Sequence, residues 1–139
     1  MNIAYLLTPK QDLKTLFDDN TYRKGLEVLR ESTYATIPVT TRDNIYVGVV
    51  SVQDFLWAFV KDVDEEGKIT TNDTSKLRVR DFMKMGTHPA VSITSTVEEL
   101  LERILEQNFV PVVDGREALV GIVTRHRVME HLKKEGLQE

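Results

Sequence analysis

Two stretches of this chain share one pattern at an offset of 73 residues: IPVTTRDNIYVGVVSVQD, beginning at Ile37, and VPVVDGREALVGIVTRHR, beginning at Val110. With Pro38 set on Pro111, Gly48 falls on Gly121 and Ser51 on Thr124, and no gap is needed. An internal repeat constrains the fold more than any single motif. Each copy must form the same supersecondary unit and bury its apolar face against a neighbour.

The flanking sequence extends the match. In the first copy Asn20 or Thr21 can cap a helix whose Leu26, Val28 and Leu29 are expected to face inward. In the second, Ser95 or Thr96 followed by Glu98 and Glu99 opens a helix carrying Val97, Leu100, Leu101, Ile104 and Leu105. Each then runs through a short Pro-Val strand, a turn (Arg42 to Asn44; Asp114 and Gly115) and a second strand (46–50; 118–123). A closing helix follows, with Phe55, Leu56 and Phe59 in one copy and Val128, Met129 and Leu132 in the other.

The predicted unit is helix, strand, strand, helix, and the fold class is α+β. A two-stranded hairpin is marginal alone, so two copies packed together make the natural stable object. Pro38 and Pro111 suggest edge or strand-entry positions, where no ladder hydrogen bond is lost. The expected division is residues 1–61 for the first repeat with its N-terminal lead-in, 62–77 for a polar, solvated linker, and 78–139 for the second repeat.

Composition narrows the function. The net charge is −4 with no long basic run, which argues against a nucleic-acid partner. The absence of cysteine excludes disulfides, thiol catalysis and thiolate-bound zinc, and fits a reducing compartment. The apolar run at residues 3–7 is too short for a signal-peptide core or a membrane span, so the expectation is a soluble, cytoplasmic protein with no membrane partner.

The twice-repeated order of Pro-Val, turn, apolar-Gly-apolar-apolar strand and then Ser or Thr, with Asp54 three residues after Ser51, resembles the CBS domain. The tandem is similar to the pair known as a Bateman module, in its stand-alone bacterial form, and the likeness covers nearly the whole chain. It implies two repeats packed about a pseudo-twofold axis, with clefts that hold adenosine compounds: AMP, ADP, ATP, S-adenosylmethionine or cyclic di-AMP. It also implies a homodimer, no catalysis, no cofactor, and a regulatory signal read by a separate protein partner.

The residues support a ligand reading on their own terms. A glycine inside a strand marks a place where another backbone or a ligand comes close. Ser51 and Thr124 stand where a strand turns into a helix, near unpaired N–H groups at the positive end of its dipole, a setting suited to phosphate. Asp54, in the first helical turn, could accept from ribose hydroxyls. The alternative is plain: Ser51 and Thr124 are N-caps, and Asp54 complements the dipole.

By the resemblance, each site mixes the copies. One candidate group is Thr124, Arg125 and Arg127 with Tyr34, Ala35, Thr36, Ile37, Pro38 and Lys14. The other is Ser51 and Asp54 with Phe109, Val110 and the lead-in 87–91. Two departures from the family pattern set them apart. Arg127 stands where the ribose-binding acid would be, replacing ribose recognition by a cation suited to phosphate. The approach to the second Pro-Val strand is shorter, with one residue between Phe109 and Pro111 but three between Tyr34 and Pro38. The first group therefore reads as the basic, roomier one, with Tyr34 and Ile37 placed to sandwich a purine. A solvated helix end or a dimer salt bridge is the competing reading of Arg125 and Arg127.

Three weaker signals stand beside these. Residues 62–69 resemble the start of an EF-hand loop, but the twelfth position is Asp73, too short for bidentate coordination. His88, His126 and His131 lack metal-ligand spacing, so no metal site is expected. Trp57 and Phe59 read as core or dimer-interface residues, and no phosphate-loop or nucleophile motif is present.

Overall fold

The computed structural model describes residues 2–136. A 3-10 turn at Ile3–Leu6 leads into β1 (Thr8–Pro9), a second such turn at Lys10–Asp12, β2 (Leu16–Phe17), α1 (Tyr22–Glu31), β3 (Thr36–Thr40), β4 (Tyr46–Ser51) and α2 (Val52–Phe59). Then come β5 (Val60–Val63), β6 (Ile69–Thr71) and a 3-10 turn at Val79–Asp81. The chain continues through β7 (Val91–Ser92), α3 (Val97–Glu106), β8 (Phe109–Val113), β9 (Leu119–Thr124) and α4 (Arg125–Gly136). Packing divides these into two units. The first is Lys14–Thr87; the second joins the described residues up to Leu13 to those from His88 onward.

In the first unit the sheet order is β2-β3-β4, with β2 parallel and β4 antiparallel to β3. In the second it is β1-β9-β8-β7, with β7 parallel to β8 and β9 antiparallel to it. The repeat extends to fine detail. Leu16 opposes Val39 as Val91 opposes Val112, and the hairpin register slips at Val39/Thr40 and again at Val112/Val113. Asn44 and Glu117 occupy the left-handed region at the same point of the two turns, with φ of 70° and 66°.

Thr21 and Thr96 are the helix caps, accepting from the N–H groups of Lys24 and Glu99 at 3.0 and 3.2 Å. Asn20 and Ser95, the other candidates, instead close the preceding turns by accepting from Phe17 and Ser92. Each core is then the inner sheet face against its helices. Ile37, Val39, Val50, Phe55 and Val79 fill the first, and Leu100, Ile104, Val110, Val112 and Val123 the second.

The glycines explain why packing departs from a division by sequence at 61 and 78. A Cβ on Gly48 would collide with the Lys84 carbonyl oxygen, and one on Gly121 with that of Thr8. In each unit a backbone crosses the strand glycine. Lys84 exchanges backbone hydrogen bonds with Val49 at 2.8 and 3.0 Å, and Thr8–Pro9 pairs with Ile122 and Gly121. Of the two readings of a strand glycine, a backbone or a ligand coming close, the structure shows the backbone of these lead-ins. They are also exchanged: Ile3 and Leu6, expected with the first repeat, are buried in the second unit, while Val79, expected with the second, is buried in the first.

Three further expectations change. Pro38 and Pro111 lie in central strands, not at edges. Val49 spends its N–H and carbonyl on Lys84, so the Pro38–Val49 pair is not hydrogen-bonded, and the missing proline donor faces the side where β2 has not yet begun. Residues 62–77 are exposed through most of their length, but they are not plain linker, because β5 and β6 pair as a hairpin. Asp64 Oδ1 closes its turn by accepting from Glu66 and Lys68, so Asp62, Asp64 and Glu66 belong to a β-hairpin and its turn. Among the described residues no group of acids and histidines could hold a metal.

The helix faces also shift. Leu26, expected inward, is 41% exposed, because Tyr22 and Gly25 hold the core side of α1. Leu105 is likewise turned outward, and Leu56, Phe59, Met129 and Leu132 are exposed on the closing helices while Phe55 and Val128 anchor them.

Candidate functional site

In the first unit β4 delivers Ser51 to the start of α2. Ser51 Oγ accepts from the Asp54 N–H at 3.2 Å, and Asp54 Oδ2 accepts from the Ser51 N–H at 2.9 Å. This reciprocal box satisfies two helix-end donors at once. Asp54 is 8% exposed, and its other oxygen lies 3.8 Å from Lys84 Nζ. The carboxylate is engaged on both sides, so the capping reading describes its geometry. Lys84 was not anticipated; the signal for it was Gly48, whose missing side chain admits the Lys84 backbone.

The same unit carries Tyr34, Ala35, Thr36, Ile37, Pro38 and Lys14. Four residues, 32–35, connect α1 to β3. Ser32 Oγ accepts from the Tyr34 N–H and donates to the Tyr34 carbonyl, which fixes the bend and leaves the Tyr34 ring 43% exposed. The Ala35 carbonyl accepts from the Val52 N–H at 3.0 Å, joining this connection to the start of α2. Thr36 is half-buried, whereas Ile37 and Pro38 are buried. Lys14 pairs with Glu31 at 3.4 Å on the surface, so it is not a free cation.

In the second unit β9 delivers Thr124 to the start of α4, where Thr124 Oγ1 accepts from the Arg127 N–H at 3.0 Å. Arg125 turns the other way. Its Nε donates to the Ile104 carbonyl at 3.0 Å and its Nη2 to that of Leu105 at 3.5 Å, so the guanidinium sits at the negative end of α3. Arg127 is half-buried, and among the described residues its guanidinium makes no hydrogen bond or ion pair. His126 faces Glu130 at 3.7 Å on the exposed side. Of the expected basic residues, Arg127 is the cation left available at the positive end of α4.

Phe109 and Val110 are buried, at 3% and 0% exposure. Only two residues, Gln107 and Asn108, connect α3 to β8, and they are tied down. Gln107 Nε2 donates to the Pro89 and Phe109 carbonyls at 3.3 Å, the His88 ring lies 4.9 Å from that of Phe109, and Arg125 donates its backbone N–H to Asn108. Gln107 was missed in the sequence, where a polar residue at a helix end looks like surface, whereas His88 falls within the lead-in 87–91.

The comparisons with known proteins agree with this architecture. The description of the CBS domain matches residues 5–61 and again residues 79–134. The CBS domain-containing protein CBSX2 of Arabidopsis thaliana, described as chloroplastic, is 32% identical over 147 residues, covering 91% of this chain. The chain spans 61% of that relative's length. The crystal structure of the CBSX2 CBS pair superposes with a TM-score of 0.77 at 27% identity, covering 97% of this chain and 96% of that one. A crystal structure of CbpB in complex with c-di-AMP matches at TM-score 0.80 and 18% identity, covering 96% of this chain and 85% of that one. With both halves matched by one family and the same order of elements in each, the chain belongs to the CBS domain family and carries two of its repeats as a tandem pair.

Proposed function

We propose that this CBS pair is a non-catalytic, nucleotide-responsive module. An adenine nucleotide, whether AMP, ADP, ATP or cyclic di-AMP, is bound by Thr124 and Arg127 at the start of α4. Occupancy favours one conformation of the pair, which acts as a homodimer and is read by a separate protein. A ligand does this only through a difference in affinity between two states. The observation that carries the reading is Arg127: a half-buried residue whose guanidinium is uncommitted among the described residues, at the N-terminus of a twelve-residue helix. The c-di-AMP bound by the similarly folded CbpB supports the ligand class. Ser51, Asp54, Phe109 and Val110 offer less, since Asp54 is engaged and Phe109 is covered by His88. One nucleotide per chain is therefore expected.

Isothermal titration with AMP, ATP and cyclic di-AMP tests this. Saturable binding to at least one is expected, weakened about tenfold or more by Arg127→Ala, as for loss of one charge-assisted contact. A second reading, a ligand-independent dimerisation or docking module, is favoured by the exposed apolar face of α2. Failure of all three nucleotides to bind would select it.

A further inference from the structure

The hairpin of β5 and β6 stands outside both cores, and every residue from 61 to 73 is exposed. A two-stranded ribbon with neither face covered is marginal in water. Val63 and Ile69 oppose one another across it, exposed by 48% and 56%, so an apolar pair is left in solvent on one face. The two strands guard their outer edges differently. β5 carries Lys61 and Asp62, charges of the kind that keep a strand edge from pairing with another chain, whereas β6 reads Ile-Thr-Thr, β-branched throughout and uncharged. The sheet holds only these two strands, so the outer edge of β6 is open. Where β6 ends, a depression of about 340 Å³ is lined by Ala58, Asn72, Asp73, Leu77, Asp81 and Phe82. Its apolar residues are half-buried, while Asp73 and Asp81 are exposed and each accepts from a neighbouring backbone N–H.

Charge selects what can use this edge. Residues 60–73 carry five carboxylates against two lysines, and Asp81 adds a sixth carboxylate at the depression. We propose that β6 is the docking edge for a different protein, which adds to it an extended segment alternating apolar residues with lysine and arginine. Main-chain hydrogen bonds to β6 hold the segment, its apolar side chains cover Val63 and Ile69, and a basic side chain enters the depression between Asp73 and Asp81. The aliphatic stem of that side chain lies against Ala58, Leu77 and Phe82 while its charge meets the carboxylates. A second copy of this chain fits the same edge poorly. Pairing β6 with β6 would bring two acidic rims together, which selects against it. The inference deepens the functional reading above by naming the surface on which the separate protein docks, and rests on that reading for the existence of such a partner.

The probe is a synthetic peptide of about twelve residues, long enough to span a strand, alternating valine or threonine with lysine and arginine. A second peptide replaces every basic residue by glutamate. Fluorescence anisotropy with the full chain should show saturable binding of the basic peptide alone, weakening as salt rises. Hydrogen exchange should slow by about tenfold or more at the amides of Ile69 and Thr71 when that peptide is bound. Ile69→Lys, which places a charge on the open edge, should abolish both effects. Asp73→Asn/Asp81→Asn keeps the two hydrogen-bond acceptors and should weaken binding about fivefold, as for two exposed ion pairs. Equal binding of the acidic peptide, or binding of the basic one without protection at residues 69–71, overturns the docking edge. Protection of those amides that grows with protein concentration in the absence of peptide overturns the proposal in favour of a second copy. Nucleotide is titrated into the same samples. Failure of the basic peptide while nucleotide still binds overturns this inference alone, and peptide binding where no nucleotide binds upholds it while overturning the nucleotide reading.

Discussion

The two units share a frame but fill it differently, and the clearest contrast is where the first helix meets the last. In the first unit α1 presents Gly25, and Tyr22, Phe55 and Phe82 crowd the space beside it with ring centroids 4.9 to 5.6 Å apart. In the second unit the residue equivalent to Gly25 is Leu100, and the one equivalent to Phe55 is Val128, both buried. A large ring against no side chain in one repeat replaces a small side chain against a large one in the other. Total volume is what the frame demands; which helix supplies it is free.

The sharpest way to break both units is at the feature they share. Gly48→Val and Gly121→Val push side chains into a crossing backbone that is itself hydrogen-bonded, where no rotamer change gives relief. Each should cost about 3 kcal/mol or more, at the upper end of overpacking, measured by urea unfolding. Hydrogen exchange should then distinguish the two. Gly48→Val exposes the Lys84 and Val49 amides, whereas Gly121→Val releases the segment from Ile3 to Pro9.

The difference between the units can be sharpened by trading their solutions. An ideal Cβ on Gly25 would lie 2.6 Å from Phe55 Cζ, so Gly25→Leu should cost about 3 kcal/mol despite the better helix propensity. Phe55→Val alone leaves a void and also costs about 3 kcal/mol. Together they reproduce the pairing of Leu100 with Val128. The double variant should therefore lose about 2 kcal/mol less than the sum, since contacting residues couple by this order. Simple additivity would show that the two packings are not interchangeable.

Much of this frame was legible in the sequence because periodicity and spacing report it directly. Pro38 and Pro111, Gly48 and Gly121, and the capping threonines fixed two helix-strand-strand-helix units. Illegible was whatever depends on residues far apart in sequence. Nothing local to Gly48 says that the backbone of Lys84 will cross it, so its clearance left a backbone and a ligand as equal readings. Leu26 satisfies a helical pattern as well as Val28 or Leu29 does, and only the ring of Phe55 beside Gly25 decides which side of α1 turns inward. At the candidate site the hydroxyls of Ser51 and Thr124 were found by position, but the roles of the two arginines were not. The sequence cannot show that the carbonyls ending α3 lie within reach of Arg125 and leave Arg127 uncommitted.

That division of labour predicts a split between stability and binding. Arg125→Ala removes a cation from the end of α3 and should cost about 1 kcal/mol in chemical denaturation, with nucleotide affinity retained when measured well below the midpoint. Arg127→Ala should change stability by less than about 0.5 kcal/mol, as removal of a charge with no partner among the described residues does, while weakening nucleotide binding about tenfold or more. Ser51→Ala and Thr124→Ala should each cost about 1 kcal/mol as lost helix caps. If Arg125→Ala abolished binding without destabilising the fold, the assignments of the two arginines would be reversed.

The smallest expected effect separates the units by pH. In the first, Arg42 Nε donates to both Asp19 oxygens at 3.0 Å, with the guanidinium 4.1 Å over the Phe17 ring. The second unit replaces Phe17 and Asp19 with Ser92 and Thr94, whose hydroxyls lie 2.9 Å apart. The hydrogen bond from Arg42, aided by the charges of Arg42, Arg80 and Arg78 and opposed by partial desolvation, holds the Asp19 carboxyl below its usual value. A folded-state value below the unfolded one means the pair contributes stability above the unfolded carboxylate range and loses it as pH falls through the lowered value. Asp19→Asn should therefore destabilise modestly at pH 7, with the difference from the parent shrinking steadily in acid. Thr94→Ala, which removes no titrating group, should give a difference flat across the same range. Because Asp19 is solvent-accessible, salt should also diminish the Asp19 effect and leave that of Thr94 unchanged.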